Sequence, residues 1–113
     1  MKTFHAERTF RGKNIMVDAT VTDGGVQIGL FGGDKTHIGA VGIVNPAGKI
    51  TVTQFERHKE GILCQQWCDA LAKPGCLPAL VSAGVHYDKA SKEEIVQIVR
   101  LCNELLKEML DNL

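Results

Sequence analysis

From Asn14 to Thr22 apolar and polar positions alternate, with Ile15, Val17, Ala19 and Val21 set against Asn14, Met16, Asp18, Thr20 and Thr22. A period of two predicts a half-buried strand. A weaker alternation runs from Thr3 to Arg11, where Phe4, Ala6 and Arg8 interleave with His5, Glu7 and Thr9. After Asp23-Gly24-Gly25 the pattern resumes in Val26, Ile28 and Leu30, and the Asp-Gly signal predicts a hairpin between the second and third strands. His37 to Asn45 is more continuously apolar (Ile38, Ala40, Val41, Ile43, Val44) and predicts a fourth strand, closed by the turn Pro46-Ala47-Gly48-Lys49. Ile50, Val52 and Phe55, interleaved with Thr51, Thr53 and Gln54, predict a fifth that ends at the polar run Glu56-Arg57-His58-Lys59-Glu60. With no helix between them, these strands predict an antiparallel meander.

The period then changes. Ile62, Leu63, Trp67, Ala70 and Leu71 fall along one side of a helix from Gly61 to Lys73, which Lys73-Pro74-Gly75 stops. Leu77 to Val85 reads as a sixth strand that delivers His86, Tyr87 and Asp88 at its end. Ser91-Lys92-Glu93-Glu94 is a capping box, and Ile95, Ile98, Val99, Cys102, Leu105, Leu106, Met109 and Leu110 follow at helical spacing. That stripe needs a surface to bury against, and a sheet face is the available one. The expectation is a two-layer α+β domain spanning residues 1–113, in the order βββββαβα.

Composition narrows the function classes. Thirteen basic and thirteen acidic residues cancel, and neither sign forms a block, which argues against nucleic acid or an anionic membrane as partner. The first residues, Met1-Lys2-Thr3-Phe4-His5-Ala6-Glu7-Arg8, have no apolar signal core, and no run approaches the length of a membrane span. A cytoplasmic protein is expected, with Cys64, Cys68, Cys76 and Cys102 as free thiols. Cys64 and Cys68 share a helix face and so could offer soft metal ligands, but Leu63, Trp67 and Leu71 beside them favour a core stripe.

The segment Gly32-Gly33-Asp34-Lys35-Thr36-His37-Ile38-Gly39 places Asp34 and His37 on a glycine-flanked turn. Glycine admits close approach of a ligand to the backbone, and histidine ligates metal or exchanges protons near neutral pH. His37, His58 and His86 all fall at strand ends, and convergence of His37 and His86 with Asp34 and Asp88 would make a nitrogen and oxygen set for a divalent metal. Lys35 and Lys59 are candidate phosphate donors beside the glycine turns. A hydrolase triad finds no support, because Ser82 lies inside a predicted strand and Ser91 is explained as a helix cap.

Three stretches together, Gly33 to Gly39, His58-Lys59-Glu60 and Gly84-Val85-His86-Tyr87-Asp88 before a capped helix, resemble the bacterial prenylated-flavin chaperone family. Its best-known members are D-type small subunits associated with gallate and related hydroxybenzoate decarboxylases. The resemblance implies a domain like that of the proteasome assembly chaperones, an antiparallel sheet backed by helices. It also implies a non-enzymatic helper that holds prenylated FMN, with a divalent metal ion, for delivery to a UbiD-type decarboxylase; a homodimer is expected because its interface would enlarge an otherwise shallow pocket. Carried over residue by residue, His37, His58 and His86 become the metal ligands, with Asp34 in the same turn; beside them, Gly33, Lys35, Lys59 and Tyr87 join Asp34 and His37 as expected cofactor contacts by their own chemistry, the lysines for phosphate and the tyrosine as an aromatic stacker. Thr36 stands where the family's pattern has a proline before the first histidine.

Two other classes remain open at this level. One is an assembly-chaperone module that docks a protein partner through a sheet edge or helix and binds no cofactor. The other is a small metal-dependent enzyme, for which the same histidines would have to serve as acid and base.

Overall fold

The computed structural model describes residues 1–55 and 60–113. Among them the chain forms β1 (Lys2–Phe10), β2 (Lys13–Thr22), β3 (Gly25–Gly33), β4 (Ala40–Val44), β5 (Ile50–Gln54), α1 (Gly61–Ala72), β6 (Ala79–His86) and α2 (Lys92–Asn112). This is the α+β order expected from the pattern. The Asp23-Gly24 turn is as read: Thr22 pairs with Gly25, so the two strands join through two residues.

The five-strand meander is not what forms. The sheet order is β1-β2-β3-β6-β4-β5, so β3 and β4 are separated by β6, which runs parallel to β3 and antiparallel to β4. Two hairpin units are joined through the last strand. The physical reason is that β6 buries Ala79, Val81 and Ala83 on the helix-covered face, while its backbone groups pair on both sides, with β3 and with β4. Strands β1 and β5, with polar outer positions, take the edges.

Both helices cover the same face. Helix α1 packs on β4, β5 and β6, and α2 on β1 and β2. Between them lie Ile15, Val17, Leu30, Val81, Trp67, Leu71, Leu105 and Met109, all fully buried. Cys64 and Cys68 are also fully buried, so the core reading of that pair holds. Helix α2 starts on the anticipated capping box, in which Ser91 Oγ accepts from the Glu94 amide and Glu94 Oε1 accepts from the Ser91 amide. No helix among the described residues is long and apolar enough to cross a membrane.

Among the described residues, no helix covers the other sheet face. On it His5 sits between Asp18 and Glu7, with Nδ1 2.5 Å from Asp18 Oδ1 and Nε2 3.0 Å from Glu7 Oε2. These carboxylates, Asp18 first, hold the His5 imidazolium above its ordinary pKa.

Candidate functional site

The strand order dictates where the motifs meet. Because β3 and β6 are parallel and β4 starts beside Ala83, the connection from Gly33 to Ala40 must pass over the C-terminal end of β6. Its backbone is tied down on both sides: the Asp34 amide donates to His86 O at 2.7 Å and the Gly39 amide to Ala83 O at 2.8 Å. Strand β5 ends beside Ala40, and the Gln54 side chain accepts from the Gly61 amide at 2.9 Å. So the ends of β3, β5 and β6 and the starts of α1 and α2 gather at one end of the sheet.

Two glycines make this crossing possible. A Cβ at Gly84 would overlap the carbonyl oxygen of His37, and one at Gly39 would overlap the Glu60 carboxylate. Side chains at either position would push the loop off the strand or Glu60 out of its place.

Each histidine of the crossing has a carboxylate partner. His37 Nε2 lies 2.7 Å from Glu60 Oε1, while its Nδ1 faces the Lys35 carbonyl at 3.2 Å. Glu60 is buried, and with His37 it fixes the loop to the start of α1. His86 Nε2 lies 2.8 Å from Asp88 Oδ1, and the two histidine rings meet edge to face with centroids 6.3 Å apart. Asp34 Oδ2 accepts the Asp88 amide at 2.8 Å, so the two motif loops are cross-linked through an aspartate. His86, then the more distant Lys35 and Arg11, hold the Asp88 carboxyl below the usual range.

Beside this cluster a groove of about 650 Å³ opens between the two helices. Leu63, Val85, Ile98, Val99 and Cys102 form its apolar lining, and Glu60, His86 and Lys89 stand where it meets the strand-end loops. Tyr87 also lines it, but as a wall: the residue is 5 % exposed, its hydroxyl donates to Lys13 O at 3.0 Å, and its ring packs edge-on against Phe10. Arg11 lies over the Tyr87 ring at 5.7 Å and donates to Asp88 O at 3.0 Å, which ties the β1–β2 turn to the same loop.

Of the residues expected at a site, Gly33, Asp34, Lys35, His37, His86 and Tyr87 are brought to this end of the sheet. His58 and Lys59 lie outside the described residues. Trp67, a candidate stacking ring by type, is fully buried in the core, with no acceptor for Nε1 among the described residues. Also among the described residues, no three His, Cys, Asp or Glu side chains are arranged to hold a metal ion. The Nε2 atoms of His37 and His86 are turned to different carboxylates.

Sequence reasoning missed Lys89, which reads as part of a polar linker, and the groove, which depends on how far apart two helices stand; Glu60 stood in the His58-Lys59-Glu60 stretch without a role. Only Glu60 had a local signal, as the acidic residue immediately before an apolar-periodic segment.

No protein of curated function matches the chain. The family model for the prenylated flavin chaperone LpdD-like domain matches residues 9–113, which takes in β2 to α2 and every side chain of the strand-end cluster. Two of the three stretches that carry the sequence resemblance, Gly33 to Gly39 and Gly84 to Asp88, are tied together by the fold, and the chain belongs to the prenylated flavin chaperone LpdD-like family.

Proposed function

We propose that this chain holds prenylated FMN without transforming it and passes it to a UbiD-type decarboxylase. The observation that carries the reading is the juxtaposition, at one end of the sheet, of the polar loop cluster with an apolar groove of about 650 Å³. A flavin mononucleotide has a phosphate dianion at one end and an apolar ring system at the other, and a site for it needs both kinds of surface. Lys35 and Lys89 supply the cations that a phosphate would meet at this end of the sheet, where they stand among the carboxylates of Asp34, Glu60 and Asp88. Gly33, Asp34 and His37 shape the loop, with His86 beside it, and no side chain is assigned a catalytic role.

The reading includes a homodimer. The helix-free sheet face supports it, since Ile43 and Leu80 are large apolar side chains exposed there. Among the described residues no three His, Cys, Asp or Glu side chains form a metal ligand set, and His58 of the expected set lies outside them.

The test is native mass spectrometry of the chain co-expressed with a flavin prenyltransferase. Retained prenylated FMN on the wild type, lost in His37→Ala with the fold intact, is the expected result. A clean apo protein would overturn the reading. The same spectrum reports subunit number and any bound metal.

A second reading, a protein-docking module without cofactor, is favoured by the exposure of Ile62 and Val96 on the two helices. It predicts a stable complex with a partner protein that forms equally well in the absence of flavin.

A further inference from the structure

We infer that the groove between α1 and α2 receives the fused-ring, prenyl-bearing end of the cofactor, with the phosphate-bearing tail left at the mouth beside Lys89 and Lys35. This rests on the cofactor reading above and adds to it an orientation and a source of selectivity. The polar groups of the groove are not spread evenly. Glu60, His86 and Lys89 come from the strand ends and loops, whereas Leu63, Ile98 and Val99 belong to the helices, whose polar contribution to the lining is the exposed, uncharged Gln66. On its inner side lies Cys102, fully buried, whose thiol is pushed up to about 12 by desolvation and stays neutral.

That asymmetry matches one orientation of the ligand. With the rings inward, apolar surface meets Leu63, Ile98 and Val99, and the phosphate remains near cations and water. With the phosphate inward, a dianion would face those same side chains, which offer it no donor. The volume also fits: about 650 Å³ lies within the range of roughly 300–1,000 Å³ usual for sites that enclose a drug-sized ligand.

Selectivity follows from the same lining. Prenylation adds a hydrocarbon ring to the flavin, and each methylene moved from water into an apolar site strengthens binding by roughly fourfold. Prenylated FMN should therefore bind at least about tenfold more tightly than FMN, with the discrimination supplied by the groove and not by the loop cluster.

Equilibrium titration of prenylated FMN and FMN against the wild type, Val99→Trp and Gln66→Trp tests this. Val99→Trp fills the groove from the α2 side. Gln66, also on its lining, is exposed on α1, so Gln66→Trp obstructs the entrance without entering the core. The expected result is a tenfold or greater preference for prenylated FMN in the wild type, lost in both variants while their melting temperatures stay close to wild type. Wild-type preference retained in a folded Gln66→Trp and Val99→Trp would overturn the groove assignment and leave the cofactor reading standing. No binding of prenylated FMN by the wild type would overturn both. Variants that keep the cofactor but lose a decarboxylase partner would overturn the assignment in favour of a protein-docking groove.

Discussion

The backbone of Gly84 lies directly against the carbonyl of His37, so close that a Cβ on Gly84 would occupy the oxygen's place. The β3–β4 connection therefore rests on β6 at the point where glycine removes the side chain. Gly84→Ala should displace residues 34–39 and cost about 1–3 kcal/mol of stability, the usual penalty for overpacking. Urea denaturation reads the stability, and prenylated FMN titration the displaced loop. A variant as stable as wild type, with unchanged affinity, would show that the loop yields easily.

Glu60 and His37 form the other fastening of that loop, at 2.7 Å in a partly buried setting. Glu60→Ala should leave the helices intact while speeding amide exchange at residues 34–39, because one of the loop's anchors to α1 is gone. Hydrogen-exchange mass spectrometry resolves this segment from the core. Protection unchanged there would mean that the backbone bonds of Asp34 and Gly39 suffice.

Ser91 caps α2 in both directions through Glu94. Ser91→Ala should cost about 1 kcal/mol, the typical loss of a good N-cap, and lower the melting temperature by several degrees in a chain of this size. Calorimetry checks it. No change would imply that Glu94 or water takes over the freed amides.

The His5 triad with Asp18 and Glu7 makes a pH-dependent contribution. Its folded pKa is raised above the unfolded value of 6.5, so the stabilisation is full below about that pH and disappears as pH rises through the folded value. Half-exposed side chains keep it under about 1 kcal/mol after screening. His5→Gln should flatten the stability profile above about pH 6.5, where the contribution is lost as the imidazole deprotonates, as followed by denaturation at several pH values. A variant with the wild-type slope would assign that slope to another group.

Thiol reactivity should single out one cysteine. Cys64, Cys68 and Cys102 are fully buried, with thiols pushed up to about 12, 11 and 12, whereas Cys76 is half-buried. A thiol reagent at pH 8 should label the native protein at Cys76, with the other three reacting only on unfolding. Rapid modification of a second site would reveal opening of the α1 or α2 packing.

Local chemistry announced much of this architecture. The Asp23-Gly24 hairpin, the Ser91 capping box and the buried stripe of α2 were readable because each depends on residues a few positions apart. The strand order was not, because pairing Val26 with Ala79 or Ala40 with Ala83 joins residues roughly 40 to 50 positions apart, which no local pattern specifies. The site was legible in the same uneven way. Gly33 to His37 and His86 stood out as glycine-flanked histidine motifs, but nothing near His37 in sequence names Glu60 as its partner, and the groove arises only from the placement of two helices.

The insertion of β6 has a consequence for how the molecule comes together. β1–β2–β3 and β4–β5 can each zip up from neighbouring residues, but the two halves share no direct strand pairing until the last strand arrives between them. Joining them is a non-local event, and such contacts are made late because a long stretch of chain must first be closed. The strand-end loops and the groove draw on residues from both sides of that seam. If the proposed site is the flavin site, a half-assembled chain has nothing to hold the flavin with, and occupancy by ligand would itself certify that the keystone strand is home.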